Sequence, residues 1–215
     1  MIRITAAALL LCSVQELPVL VTEDFEKGIE RWEFSDPKAW KVVDTDKGKS
    51  LGLVAKTTPK TPHRSPFGRA LLKDVVVGDF VMEVDVQSTV KDYPHRDLVF
   101  FFGYQDDDHF YYSHLGKKTD KNANQLFIVN GADRTMISTR TTEGTNWTDE
   151  WHHVKVVRKV ADGTIEVYLD DMKTPVQTAT SKVFVWGQVG VGSFDDLGNF
   201  DNFVLRGAKA GPEKK

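Results

Sequence analysis

Apolar and polar residues alternate in short runs from Thr22 onward, and almost no stretch has the period of about 3.6 residues that is typical of an amphipathic helix. Alternation with a period of two is typical of strands that bury one face, and Gly, Asp, Asn and Pro between the runs mark turns. The pattern predicts an all-β protein folded as an antiparallel sandwich. The clearest predicted strands are residues 79–87, 97–104, 109–115, 125–130, 152–158, 164–170, 188–193 and 200–206.

Two of these predicted strands differ in how their faces are solvated. Residues 79–87 read DFVMEVDVQ, so we expect one face to pack in the core and the other to meet water. Residues 97–104 read DLVFFFGY and are apolar on both sides. Such a strand is typical of the centre of a sheet that is covered on both faces. We therefore expect long loops or a bound ligand to cover its outer side.

The stretch 151–171 reads WHHVKVVRKVADGTIEVYLDD, in which two alternating runs flank the turn ADG and predict a β-hairpin. His152 shares a face with apolar residues, so we expect a buried histidine whose ring is hydrogen-bonded. His153 is expected to face solvent. Asp170 and Asp171 are expected to shape the turn that follows. These residues predict scaffold rather than a chemical site.

The same stretch carries a resemblance to a known fold family. WHHVKVVR followed by GTIEVYLDD resembles the signature of concanavalin A-like and laminin-G-like jelly-roll domains, and QVGVGSFDDLGNFDNFVLRG and EDFEKGIERW are similar to their closing and opening segments. The resemblance covers about residues 22–207 and implies a jelly-roll β-sandwich of two antiparallel sheets. Bacterial relatives of this shape include the 3-keto-disaccharide hydrolase group, glycosidases, lyases and carbohydrate-binding modules, so the fold alone does not decide the function.

Length, charge and the ends of the chain narrow the function classes. The 215 residues suit one domain, and a net charge of -3 gives no general attraction for nucleic acid or anionic membranes. The N-terminus, MIRITAAALLLCS, predicts a signal peptide over residues 1–16 and a secreted or periplasmic protein, and its apolar run is too short for stable membrane insertion. Cys12 is the one cysteine of the chain, so no disulfide is expected after cleavage. Residues 208–215 are expected to form a disordered tail.

Histidine recurs beside cations and aromatic residues in PHRSP, YPHRD and YSHLGKK. If the first two segments fold over the strand that carries the third, their side chains would line one basic, aromatic groove. Arginine grips planar anions and tyrosine stacks on sugar rings, so such a groove suits a glycan that bears carboxylate or sulfate. The candidate substrate-binding residues are His63, Arg64, His95, Arg96, Tyr112, His114, Lys117 and Gln125.

Three functions are compatible with these residues. The first is a carbohydrate-recognition domain. The second is a glycan-cleaving enzyme, either a hydrolase that uses two carboxylates such as Glu83 and Asp85, or a lyase that uses a Tyr or His base with Arg96 and Gln125 beside the uronate. The third is a structural laminin-G-like interaction module without a sugar site.

Acidic residues also lie near both ends of the predicted domain. Glu23 and Asp24 are close to its start, and Asp201 belongs to the closing FDN. Jelly rolls of this resemblance often pair their first and last strands, which would bring these carboxylates together. Oxygen ligands of this kind suit Ca²⁺. We therefore expect a structural calcium ion bound by Glu23, Asp24 and Asp201.

Overall fold

The computed structural model describes residues 17–58 and 60–211, so the predicted signal peptide lies outside the described residues. Over this part of the chain the backbone forms sixteen strands and a short 3-10 helix at Pro37–Ala39. The strands, numbered in chain order, are β1 (Val19–Glu23), β2 (Trp32–Phe34), β3 (Trp40–Thr45), β4 (Gly48–Leu53), β5 (Gly68–Leu72), β6 (Val77–Ser88), β7 (Asp97–Asp106), β8 (His109–Gly116), β9 (Gln125–Asn130), β10 (Thr135–Met136), β11 (Ser138–Thr141), β12 (His152–Lys159), β13 (Thr164–Leu169), β14 (Gln177–Thr180), β15 (Gln188–Ser193) and β16 (Gly198–Lys209).

The strands form two antiparallel sheets, so the predicted jelly-roll β-sandwich is confirmed. The nine-stranded sheet has the order β11-β14-β13-β12-β6-β16-β4-β3, and β1 pairs with β16 beside this path. The seven-stranded sheet has the order β10-β9-β8-β7-β15-β5-β2. Each of the eight strands predicted from alternation is present, with its ends shifted by at most three residues.

The core lies between the sheets and follows the predicted alternation. On β6, Phe80 and Met82 are at most 1% exposed and point inward, whereas the residues between them are partly exposed. On β7, Phe100 and Phe102 belong to the same inter-sheet cluster, and the rings of Phe80 and Phe102 lie 6.1 Å apart. Burying aromatic side chains of this size contributes much of the hydrophobic stabilisation of a sandwich.

A second apolar cluster lies on the outer face of the seven-stranded sheet, the face turned away from the inter-sheet core. It includes Val99 and Phe101 of β7, both of which are fully buried, so β7 is covered on both sides as predicted. Protein rather than a ligand supplies part of the cover. The backbone N–H of Arg64 donates to Asp133 Oδ1 at 3.0 Å, which joins the loop before β5 to the turn after β9.

The two ends of the described chain meet on the nine-stranded sheet. Val21 pairs with Leu205, and Glu23 pairs with Phe203. Strand β16 continues to Lys209, so the sandwich extends two residues beyond the predicted boundary at residue 207, and the start of the expected tail belongs to this strand. Within residues 17–58 and 60–211, no helix has the length and apolar character needed to cross a bilayer.

Candidate functional site

A cleft of about 320 Å³ opens at one end of the outer face of the seven-stranded sheet. Strand β7 begins and β8 ends beside it, and the turn that follows β15 forms one of its walls. The loop before β5 and the turn after β9 each contribute an arginine to the lining. The residues that line this cleft are Arg64, Tyr93, His95, Asp97, His114, Asn122, Ala123, Arg134, Phe194 and Asp195.

Two arginines flank an aromatic ring at the mouth of the cleft. The guanidinium carbon of Arg134 lies 4.6 Å from the ring centre of Phe194, and that of Arg64 lies 5.9 Å from the same ring. Arg134 also donates from Nη1 to the Tyr112 hydroxyl at 3.0 Å, which fixes the guanidinium over the sheet. Arginines stacked on aromatic faces keep free N–H groups for an anion. The mouth therefore combines positive charge with an aromatic surface.

The floor of the cleft is a buried carboxylate beside a buried imidazole. Asp97 is 1% exposed, and its Oδ1 and Oδ2 accept hydrogen bonds from Ser193 Oγ at 2.7 Å and Phe194 N at 3.2 Å. His114 Nδ1 lies 3.1 Å from the backbone carbonyl of Asn122, and because a carbonyl can only accept, Nδ1 carries the proton of this bond. His114 Nε2 lies 2.6 Å from Asp97 Oδ2, within ion-pair distance.

Two further aspartates follow β15 and extend this acidic floor. Asp196 accepts a hydrogen bond from the Tyr93 hydroxyl at 2.6 Å and one from the backbone N–H of Asp97 at 2.8 Å. Burial raises the pKa of Asp196 to about 6, and the negative charges of Asp97 and Asp195 act in the same direction. Asp195 itself is exposed at the rim. One carboxylate oxygen from each of the three aspartates lies within 4.8 Å of the others.

Some of the groove residues expected from the sequence come together here. Arg64, His95 and His114 line the cleft. Tyr112 lies beneath it, fully buried, with its hydroxyl bonded to Arg134. Gln125 pairs with His114 across strands, but it is 6% exposed and its side-chain amide donates to the carbonyl of Asp120 at 3.2 Å.

Other residues expected in the groove lie elsewhere. Arg96 is 1% exposed, and its guanidinium is bonded to Ser88, Thr148 and Asp149, so it faces the protein interior. His63 Nε2 lies 3.4 Å from Asp108 Oδ1 and is absent from the lining of the cleft. Lys117 forms an ion pair with Asp92. The sequence predicted that all three segments line one groove, whereas in the structure each segment contributes only some of its expected residues to the cleft.

The carboxylate pair considered for hydrolysis lies on the outer face of the nine-stranded sheet. Asp85 accepts hydrogen bonds from His153 Nδ1 at 2.7 Å, Lys47 Nζ at 2.8 Å and Asn202 Nδ2 at 2.9 Å. Glu83 forms an ion pair with Arg206 of β16 at 2.6 Å. Both carboxylates are thus engaged by neighbouring cationic or polar groups and make up a polar network on that sheet.

The hairpin residues at 151–171 are scaffold, as expected. His152 is buried, its Nδ1 lies 2.8 Å from Asp170 Oδ2 and its Nε2 lies 2.9 Å from Thr148 Oγ1. Asp170 also accepts the backbone N–H of His153 at 2.9 Å. These bonds fix the strand entry, and none of the residues lines the cleft.

The expected calcium ligands are brought to the same region but not to one point. Glu23 and Asp24 line a cavity of about 420 Å³ beside β16, and each carboxylate accepts a local backbone N–H. Asp201 is buried, accepts the N–H of Asn202 at 2.7 Å, and lies outside the lining of this cavity. A structural calcium ion at this end stays a prediction.

Several residues of the cleft were not anticipated from the sequence. Arg134 lies in a turn between two short strands, and Tyr93 was considered only as a neighbour of His95. The segment SFDD after β15 was used to recognise the fold, not a site. The only signal in the sequence was that this acidic turn follows a Gly-rich strand; it is the pairing of β15 with β7 in the structure that brings its aspartates to the end of the sheet where Asp97 begins β7.

No family model and no curated protein matches this chain. Several solved structures share its fold. The carbohydrate-binding module CBM66 from Bacillus subtilis superposes with a TM-score of 0.58 at 20% identity, over 82% of this chain and 95% of that one. Domain 4 of AbnA, an extracellular GH43 arabinanase from Geobacillus stearothermophilus, was solved with arabinotriose. It has a TM-score of 0.58 at 12% identity, over 92% of this chain and 96% of that one.

A galectin-like protein of unknown function from Bacillus subtilis also has a TM-score of 0.58, at 9% identity, over 92% of this chain and 99% of that one. At these identities the likeness establishes a shared β-sandwich fold. The resemblance to the 3-keto-disaccharide hydrolase group is not confirmed by these comparisons.

Proposed function

We propose that this protein is an exported carbohydrate-recognition domain that binds a glycan in the cleft between Arg64, Arg134 and Phe194. The observation that carries the proposal is the combination of two stacked arginines, an aromatic surface and acidic hydrogen-bond acceptors around one opening. Its volume of about 320 Å³ is at the lower end of ligand pockets, which span about 300–1,000 Å³. One or two sugar rings suit such a space.

The chemistry of the cleft favours a glycan with an anionic substituent. The arginine N–H groups can hold a carboxylate or sulfate in a forked geometry, while the ring of Tyr93 offers an apolar face to a sugar ring. Asp195, exposed at the rim, can accept hydrogen bonds from sugar hydroxyls. Opposite charges in one cleft would orient the sugar, because an anionic group is attracted to the arginines and repelled by the aspartate.

The structural neighbours support this proposal through what they bind. One is a carbohydrate-binding module, and another was solved with arabinotriose. Both share the sandwich with this chain but not its sequence, so the ligand of this cleft has to be found by experiment. Their role is consistent with an exported protein, and the predicted signal peptide agrees with it.

A glycan array on the purified protein, followed by calorimetry on each hit, tests the proposal. We expect hits that bear carboxylate or sulfate, and a loss of about 1–3 kcal/mol of binding free energy in Arg64→Ala and in Arg134→Ala. Arg140→Ala is the matched control, because Arg140 is exposed on β11 and does not line the cleft. The proposal fails if no glycan binds, or if all three variants bind the hits like the wild type.

Glycan cleavage is a second candidate function, favoured by one observation. Asp97, Asp195 and Asp196 each bring one carboxylate oxygen within 4.8 Å of the others, Asp195 is exposed at the rim, and burial raises the pKa of Asp196 to about 6. Neighbouring carboxyl groups in such different surroundings can divide acid and base roles. Product analysis after incubation with each array hit distinguishes the two functions: shortened or unsaturated products indicate an enzyme, and unchanged glycan indicates a binding domain.

A further inference from the structure

We infer that a second cleft on the outer face of the seven-stranded sheet is a carbohydrate-binding site for neutral sugar units. It shares no residue with the first cleft, the one lined by Arg64, Arg134 and Phe194. The inference rests on the proposed function in one respect, namely that the ligand is a glycan. It concerns different side chains, so different variants test it.

The second cleft has a volume of about 330 Å³ and lies over four neighbouring strands. Leu71 of β5 and Tyr104 of β7 line it, and both belong to the apolar cluster on the outer face of the sheet. Leu71 pairs with Glu33 of β2. Tyr104 pairs with Gln188 of β15. The first cleft lies where β7 begins and the second lies toward the other end of that strand, so one rigid sheet supports both.

A guanidinium and a carboxylate are held side by side in the second cleft. Arg69 Nη2 donates to Asp107 Oδ1 at 2.5 Å, and the guanidinium carbon lies 4.9 Å from the ring centre of Tyr104. The Tyr104 hydroxyl donates to the same carboxylate oxygen at 2.5 Å. Arg69 is 9% exposed, whereas the side chain of Asp107 is 50% exposed. The protein therefore fixes the pair from below and leaves the carboxylate open to a ligand.

Unused hydrogen-bond acceptors surround this pair. Within residues 17–58 and 60–211, no group donates to Asp107 Oδ2, to Gln188 Oε1 or to the Glu33 carboxylate, because the bonds of Asp107 use Oδ1 and the bond of Gln188 uses Nε2. A sugar hydroxyl donates one hydrogen bond and can accept others. Adjacent hydroxyls of one sugar ring can therefore donate to these oxygens from a single bound position.

The charges of the second cleft favour a neutral sugar. Asp107 offsets the charge of Arg69, and the exposed Glu33 adds a negative charge to the lining. A carboxylate or sulfate would have to compete with Asp107 for the guanidinium, and Glu33 would repel it. In the first cleft, Arg134 donates to a tyrosine hydroxyl and forms no ion pair with any residue that the structure describes. The two clefts therefore select different classes of sugar.

An array of neutral arabino-, xylo-, cello- and manno-oligosaccharides, followed by calorimetry on the strongest hit, tests the second site. We expect a neutral hit, and Asp107→Asn should weaken its binding at least about tenfold, as for the loss of a charge-assisted hydrogen bond. Glu33→Gln should weaken it at least about threefold, and it should fold because Glu33 is exposed. Glu150→Gln, exposed and outside both clefts, is the matched control.

Backbone amide signals in nuclear magnetic resonance locate the sugar without a substitution. Titration of the neutral hit into isotope-labelled protein should shift the signals of Arg69, Tyr104 and Gln188 and leave those of Arg134 and Phe194 in place. The inference is overturned if no neutral oligosaccharide binds, if Asp107→Asn and Glu33→Gln both bind the hit like the wild type, or if the shifts fall in the first cleft instead.

Arg134→Ala separates this inference from the proposed function. This variant should bind the neutral hit like the wild type and lose affinity for anionic glycans, and Asp107→Asn should show the reverse. Anionic hits that depend on Arg134, without a neutral hit, overturn the second site and leave the proposed function standing. A neutral hit that depends on Asp107, without an anionic hit, supports the second site and overturns glycan binding in the first cleft.

Discussion

Replacement of Arg96 by alanine should destabilise the protein strongly, because this arginine is buried although it lies in a loop. The guanidinium is 1% exposed and donates to Ser88 Oγ at 2.9 Å, to Ser88 O at 2.8 Å, to Thr148 O at 2.8 Å and to Asp149 Oδ1 at 3.0 Å. It therefore links the end of β6 to the segment before β12.

The magnitude follows from the groups left without a donor. The hydroxyl and carbonyl of Ser88 and the carbonyl of Thr148 would each lose a partner, at a cost of about 1–3 kcal/mol for a buried group. Asp149, with a side chain that is 90% exposed, adds about 0–1 kcal/mol. Because Thr148 is exposed, its carbonyl can be hydrated after the loss, and we expect a total of about 3–5 kcal/mol.

Urea unfolding followed by tryptophan fluorescence measures this loss. With a slope of about 2 kcal/mol per molar urea, the midpoint of Arg96→Ala should fall by about 1.5–2.5 M. Arg96→Lys should lose less stability than Arg96→Ala, because lysine keeps the positive charge. It should still be less stable than the wild type, because lysine cannot fork between two carbonyls. Arg64→Ala, at the exposed rim of the cleft, is the matched control and should change the free energy of unfolding by less than about 0.5 kcal/mol. An Arg96→Ala variant within about 1 kcal/mol of the wild type would refute the structural role.

Two further predictions concern the nine-stranded sheet and the chain ends. A hydrogen bond to Asp85 raises the pKa of His153, so this pair stabilises the fold fully below the unfolded pKa of about 6.5, and the contribution is lost as the pH rises through the folded value. The unfolding free energy of the wild type minus that of His153→Gln should therefore be larger at pH 6 than at pH 9, and equal differences would contradict the pair. If Glu23 and Asp24 hold a structural calcium ion, millimolar calcium should raise the melting temperature above that in EDTA, and it should do so less in Asp24→Asn; equal midpoints with no bound calcium would exclude it.

The fold could be predicted because its signal is local. Strands such as β6 alternate cleanly, and residues 98–102 of β7 are all apolar, so period and composition identify them without tertiary information. Other strands were not predicted, because their local pattern is too weak. In β4, which reads GKSLGL, two glycines interrupt the alternation, and β10 has only two residues.

The site was less predictable because its residues come from segments that are far apart in the sequence. Arg64 and His114, both expected in the groove, line the cleft, since both lie close to the ends of elements that cover one sheet. Arg96 was assigned to the same groove as His95, but neighbouring residues of a loop can point in opposite directions. The contact of Asp196 with Tyr93 depends on the pairing of β15 with β7, which no local pattern reveals.

The position of β16 has a consequence for how the chain folds. This last strand pairs with β6, β4 and β1, so it joins both halves of the nine-stranded sheet. Until β16 is in place, β4 and β6 each keep an unpaired edge, and such edges are prone to aggregate. Because β16 is far in sequence from both partners, and pairing over long separations is slow, closure of the nine-stranded sheet is a late step of folding.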